Sequence, residues 1–583
     1  MKRLAIKIFF ISILSITLVK SQNYINERID DYSDVLVIIN QNSSISDSIG
    51  KYFAQVRNIP EINLVRINAP TYEEIDSATF NSIRTQIENY ILENGLLNQI
   101  NYIVTTKGVP LKINRGNTTS TSSPSASVES ELTLILSSYA DKIGKSGYIV
   151  SPYFLKNEKF SKAKFDIFLV TRLDGYNFTD IKNLIDKSKY YVWVDTTMQF
   201  VFDQDPTWNT TIPYLNNSMA YAHSLLNNKG LNSYLDNTTN FITNRTNIIG
   251  YTSFGSNDYN AYLYTENAKP NFSWAPGAIA ETYVSTSGRT FTKPVVYGQS
   301  LIADLIEEGI TGAKGYVYEP YSNAIAIVWY LFEMYTEGFN LAESFYSASR
   351  ALSWMDVIVG DPKMRIFTPR TKLNKFFANR IANSLNIEIF WSTSVEYKNA
   401  YFIIERRLDV PNTEQFEWKQ IAKVKGNGTT VFPKNYSYID KKVKNGNYLY
   451  RLIIVDSLGN EILTNPISLD VFRTPGVIYE PELLMDNRPQ KLEKTKFIKD
   501  YLTNYPNPFN PSTDITFSIE EAGNVKVTIY NSLGQVIRTL IDGYYTEGSY
   551  NINFNASGLA SGIYYCTLET KEKSVTNKMI FLK

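Results

Sequence analysis

The stretch GYTSFGSND, Gly250 to Asp258, follows the apolar pair Ile248-Ile249. It reads as a buried strand stopping in a loop of small polar residues, the position where an α/β protein gathers its ligand contacts. Side chains that could do chemistry fall at or just past the ends of several such strands: Arg172, Asp174, Asp195, Ser256, Asn257, Asp258 and Glu319, with Phe254 among them and Glu281 projecting toward the same rim. Paired carboxylates there would serve as general acid and base, or with Asn257 would hold a hard cation such as calcium. The plainer alternative is that Asp, Asn and Ser are turn formers and caps.

Thiol and imidazole chemistry is far more restricted. The 583 residues contain one cysteine, Cys566, and one histidine, His223. One cysteine excludes an intramolecular disulfide framework and cysteine-rich zinc sites. Cys566 alternates with apolar neighbours in GIYYCTL and reads as a small buried hydrophobe. His223 lies on a helical stretch, MAYAHSLLNNKG, and no G-x-S-x-G elbow exists to give it a nucleophile. No phosphate loop, dinucleotide fingerprint or zinc spacing occurs, so neither a catalytic constellation nor a resident cofactor is expected.

The elements that must position the rim residues alternate. Continuous apolar strands (Val35 to Ile39, Tyr102 to Val104, Ile167 to Val170, Tyr191 to Val194, Asn247 to Gly250, Gly315 to Tyr318) interleave with helical patterns over Ser46 to Val56, Ser77 to Asn94, Thr179 to Ser188, Met219 to Asn227, Gly298 to Glu308 and Ala324 to Thr336. This predicts a parallel sheet covered on both faces, spanning residues 23–370. Ala275 to Glu281 reads as a helix with an early proline, and Asn114 to Ser127 as an exposed loop.

Beyond residue 370 the pattern changes to short alternating strands. Residues 376–473 predict a β-sandwich with Trp391 and Tyr450 in its core, 474–500 a charged, proline-rich linker, and 501–583 a second all-β unit entered through the extended arm NYPNPFNPST. The first 21 residues form a charged, apolar, then small-residue series expected of a secretory signal peptide, and no later stretch is long enough to span a membrane. A net charge of +1 gives no electrostatic reason to expect nucleic acid.

Four pieces of the tail in order, YPNPFNPST, IYNSLGQVI, LASGIYYCTL and the final KMIFLK, closely resemble the C-terminal sorting domain of proteins exported by the type IX secretion system. The resemblance implies a Gram-negative cell, recognition by the secretion machinery, and a protein released or held on the outer-membrane surface. IEIFW, YFIIERR and YLYRLIIVDSLGN resemble a fibronectin type III domain. In the large domain, DIFLVTRLDGYNFTDIKNLIDKSKYY, IIGYTSFGSND and GDPKMRIF resemble gingipain-type cysteine peptidases, which implies a caspase-like fold. DVLVIINQNSSISDSIGKYFAQVRNIP, YIVTTKGVPLKI, ASVESEL, APGAIAETYVS, YVYEPY and ALSWMDVIVGDP are similar to an uncharacterised family of secreted bacterial proteins. Phe254 stands where the peptidase histidine would be, and the domain has no cysteine, so the Cys–His dyad is absent. The expectation is a multidomain chain, an α/β caspase-like domain followed by two all-β sandwiches, whose first domain binds an extracellular ligand or serves structurally. The alternative is a hydrolase working through rim carboxylates.

Overall fold

The computed structural model describes residues 31–116, 124–188, 191–296, 298–381, 384–409, 417–471, 490–492, 502–505, 509–519, 523–531, 534–545, 548–571 and 574–582. The expected signal peptide and most of the expected linker lie outside them. Residues 490–492 do not belong to a linker: they pair with Gly548–Asn555 at the edge of the C-terminal unit.

Ten strands form the central sheet: β1 (Val35–Asn40), β2 (Leu64–Ile67), β3 (Tyr102–Thr106), β4 (Leu169–Leu173), β5 (Gln199–Asp203), β6 (Ser233–Asp236), β7 (Ile248–Ser253), β8 (Trp274–Thr282), β9 (Gly312–Tyr316) and β10 (Asp356–Gly360), in the order β6-β5-β7-β8-β9-β10-β4-β3-β1-β2. β1 to β4 are mutually parallel, as are β5 to β9, and β10 runs antiparallel to β9. Apolar strands fill both faces because the chain returns through helices: α1 (Ser44–Arg57), α2 (Ser77–Glu93), α3 (Phe178–Lys187), α4 (Pro213–Asn228), α5 (Ile302–Glu308), α6 (Val328–Thr336) and α7 (Leu341–Ala348). β1 divides its side chains accordingly. Val35, Val37 and Ile39 join the core containing Ile49 and Phe53 of α1, and Leu36 and Ile38 join the core containing Phe80 and Ile83 of α2.

β10 closes the seam between the two halves. Its link to β4 is a single bridge of parallel type, Val359 to Arg172, and beside it the Tyr346 hydroxyl of α7 takes both backbone groups of Val170. The bridge is local, as the ends of β10 demonstrate. At its start, Ser127 donates to the carbonyls of Trp354 and Asp356, two residues before Glu129 meets Thr105 and Arg172 at the ends of β3 and β4. At its finish, Asp361 accepts from Arg57 and Tyr32 below the start of β1. The carboxyl ends of β3, β4, β7, β8 and β9 therefore share one rim with the start of β10.

Several expectations are corrected. Ala275 to Glu281 is strand, not helix, with Gly277 at φ +79° under Ile366 and Tyr335. The run at Tyr191 is a two-residue strand, Val192–Trp193, paired with Ile366–Phe367 outside the main sheet; the strand proper is β5. The helices expected from Gly298 and Ala324 begin only at Ile302 and Val328. The expected loop at Asn114 ends in a short strand, Ala126–Ser127.

The sandwich begins at Lys372, and its 22-residue strand Ile387–Leu408 bends through both sheets. Trp391 and Tyr450 are buried in its core, Trp391 stacking on Tyr436 at 5.3 Å. In the C-terminal unit two four-stranded sheets enclose Phe509, Phe517, Ile529, Phe554, Cys566 and Phe581.

Candidate functional site

At the end of β7 the backbone turns through a short 3-10 segment, Gly255–Asn257. Phe254 is buried, stacked on Trp208 and meeting the edge of Tyr283. Gly255 is required because its φ is +51° and a Cβ would lie 2.7 Å from Val284. Ser256 and Ser300 clasp each other: the Ser256 amide donates to Ser300 Oγ and the Ser300 amide to Ser256 Oγ. Asn257 donates to the Tyr283 carbonyl at 2.7 Å, and its own carbonyl accepts from the Trp208 indole. These contacts make the turn a packed connection rather than an open cradle. The cleft beside it, lined by Tyr251, Ser253, Lys269, Thr282 and Asp304, has interior space of about 10 Å³, room for a single water.

Arg172 and Asp174 stand apart from this turn in a buried network of their own. The guanidinium, about 1% exposed, donates to Glu129 at 2.7 Å, Asp174 at 2.6 Å and the carbonyls of Val109 and Pro110. Asp174 also takes Lys107 at 3.2 Å and the Gly175 amide. Lys107 donates in turn to the carbonyl of Phe291, a buried residue of the loop that follows β8. The chain's own loop thus covers this half of the rim. Glu319 is half-buried in the segment after β9, and no hydrogen bond or ion pair among the described residues joins it to Asp174 or Asp258. Asp195 precedes β5, at the opposite edge, where it caps its own turn through Thr197. His223 bonds Ser233 and Asn227 on the face of α4, and burial lowers its pKa. Among the described residues, Asp195 and Glu319 share no hydrogen bond or ion pair with Arg172, Asp174 or Asp258.

Asp258 instead joins an acidic group that sequence reading missed. Asp203 sits between Asp236 and Ser253 in register on the neighbouring strands, and Asp205 accepts the Tyr259 amide of the Asp258 loop. Burial, aided by these neighbouring carboxylates, pushes Asp203 up to about 8 and Asp258 up to about 6. Oδ1 of Asp203 and Oδ2 of Asp258 are buried without a hydrogen-bond donor. Among the described residues no three acidic, histidine or cysteine side chains form a metal-sized cluster. Asn257, the amide expected to help hold calcium, is committed to Tyr283. The only signal for Asp203 was an acidic residue ending an apolar run, FVFDQD, that the reading placed one strand too early.

A second buried group lies at the sheet's centre. Glu281 on β8, Lys314 and Tyr316 on β9 and Asp356 on β10 are all buried. Tyr316 donates to Glu281 at 2.6 Å, and Lys314 Nζ donates to Tyr316 Oη at 2.7 Å and to the Ala324 carbonyl at 2.8 Å. Sequence reading found Glu281 alone, since a lysine and an aspartate inside apolar strands look like strand edges until the register is known.

Comparison with known proteins decides one part of the chain. Residues 503–582 match the secretion system C-terminal sorting domain. This tail marks the chain for export by the type IX system, as a secreted or cell-surface protein that engages the secretion machinery. No curated protein matches the chain. Similar solved structures include dimeric latent PorU from Porphyromonas gingivalis (13% identity, 40% of this chain and 23% of that one, TM-score 0.13) and the fibronectin(III)-like modules of Clostridium thermocellum CbhA (14%, 36% and 93%, 0.12). A third is the α-L-rhamnosidase of Streptomyces avermitilis (10%, 36% and 24%, 0.14). The chain thus spans under a quarter of PorU's length. No helix among the described residues is long and apolar enough to cross a membrane.

Proposed function

We propose that the protein is a non-proteolytic module displayed outside the cell, a gingipain-like domain of caspase-like fold without its dyad, spaced from its sorting tail by a fibronectin-like sandwich. The observation that carries the reading is Phe254, packed between Trp208 and Tyr283 at the strand end where the peptidase imidazole would work. A phenyl ring can neither take nor give a proton, and the only thiol of the chain, Cys566, is buried in the sorting domain. The carboxylate hydrolase reading needs two acidic groups facing one substrate, whereas Asp174 is committed to Arg172 and Lys107. An extracellular ligand, attachment to the outer membrane and removal of the sorting domain are parts of the same proposal. The test is twofold. Deleting residues 503–582 in the producing cell should retain the protein inside, while the full chain reaches the surface or the medium. The purified full chain should cleave no arginyl or lysyl peptide; cleavage sensitive to a thiol-blocking reagent would overturn the reading.

A further inference from the structure

The chain is directed outside the cell, yet with one cysteine it contains no internal disulfide. The place where a cross-link would do most is the antiparallel seam formed by β9 and β10, and there the side chains are arranged for one. Lys314 pairs in register with Glu281 of β8 on one side and with Ile358 of β10 on the other. Asp356, opposite Tyr316, is its diagonal neighbour on the same face. Lys314 Nζ is 3.6 Å from Asp356 Oδ2 and 3.8 Å from Glu281 Oε1, with the lysine and the glutamate both fully buried.

The geometry points to an intramolecular amide between Lys314 Nζ and the Asp356 side-chain carbonyl carbon, formed with Glu281 as the proton carrier. Both oxygens of Asp356 are buried without a hydrogen-bond donor, and Lys314, 3.6 Å away, is the cation that opposes the rise burial imposes on that carboxyl. Burial places Asp356 at about 6 and Glu281 at about 7, so protonated carboxyl groups are available beside the amine near neutral pH. Tyr316 fixes the alignment, donating to Glu281 Oε1 while accepting from Lys314. Two carboxyl groups share one lysine here, and a buried ion pair with poor hydrogen bonding is costly; condensation removes one positive and one negative charge from the core.

The step balances without a co-reactant. The ammonium passes a proton to the Asp356 carboxylate, and the neutral amine attacks the carbon of the resulting carboxylic acid while Glu281 is ionised. The new C–N bond forms, and a carboxyl C–O bond breaks. Glu281 takes the surplus nitrogen proton and returns a proton to the departing hydroxyl, which leaves as water. No atom changes oxidation state.

The test is a tryptic digest of the denatured full chain read by mass spectrometry. Trypsin does not cut after an acylated lysine, so residues 290–350 and 351–363 should appear joined, one water lighter than their sum. Lys314→Arg should give no joined product. Glu281→Gln should slow its appearance about 100-fold, the usual contribution of a positioned acid–base group. A wild-type digest cut after Lys314, with the Asp356 peptide unbranched at its sequence mass, overturns the proposal, whatever the folding of the variants.

Discussion

Phe254 lies flat on Trp208, ring centres 5.7 Å apart and planes within 3°, while Tyr283 stands edge-on at 5.1 Å. The end of β7 is thereby part of the core. Phe254→Ala should cost about 3–4 kcal/mol, the usual loss for a buried phenyl group with its aromatic neighbours, read as a lower midpoint in urea unfolding. Phe254→His should also destabilise and should cleave no arginyl or lysyl peptide, since no thiol stands near. Turnover by that variant would show that another nucleophile works at the rim.

Arg172, a candidate site residue by sequence, lies in a closed, buried ion network. Its guanidinium meets two carboxylates and two carbonyls without reaching solvent. Arg172→Met should therefore cost about 3–5 kcal/mol, because Glu129 stays buried without its cation and Asp174 is left with Lys107 alone. Glu319→Gln, on a half-buried segment, should change stability by less than about 0.5 kcal/mol. Equilibrium unfolding of the two variants separates them. If Arg172→Met were nearly neutral, the network would not hold the seam beside β4.

Why one residue was misread and another was not is a matter of register. Apolar periodicity located β1, β3, β4, β7 and β9, because strands buried on both faces are nearly uniform in composition. It missed β2 and β6, four residues each, and β5 and β10, whose apolar runs are bounded by an aspartate, and it made a helix of Ala275 to Glu281, whose proline and glycine are tolerated because Gly277 turns the backbone under Ile366. Phe254 was legible since it needed only a type at a strand end. The Asp203 and Lys314 groups were not, because each assembles residues from three strands whose neighbours are set by sheet order. The sorting tail was legible throughout, its signal lying in contiguous pieces.

Asp203 and Asp258 make stability fall with rising pH. Burial holds their folded pKa values at about 8 and about 6, above the ordinary aspartate value of 3.8. Each contribution is fully present below the unfolded value and is lost as pH rises through the folded one. The window thus runs from about 4 to about 8 for Asp203 and from about 4 to about 6 for Asp258. Asp203→Asn keeps the shape and removes the charge, so it should flatten the decline and gain roughly 1–2 kcal/mol at pH 8. Melting temperatures of wild type and variant across pH 5 to 9 provide the check. Parallel curves would mean that another group controls this range.

Glu337 couples the α/β domain to the sandwich. It accepts from Lys229 at the end of α4, from Arg370, and from Lys372, the first residue of the first sandwich strand. Burial opposes ionisation, but the cations prevail and hold Glu337 down to about 2, whereas burial pushes Lys372 down to about 8. Three cations share one carboxylate, so Glu337 is held down by all of them while Lys372, half enclosed, has only a share of one anion. The Glu337 contribution is present above the ordinary value of 4.5 and is lost as pH falls through about 2. Glu337→Gln should cost about 2 kcal/mol at neutral pH, where it leaves partly buried cations facing one another. The difference from wild type should shrink as pH drops below 4.5. It should also bring earlier proteolytic cutting near residue 370, because the aromatic contact of Trp193 with Tyr397 at 5.1 Å would then hold the two units with less help. An unchanged cutting rate would show that the aromatic contact alone fixes the junction.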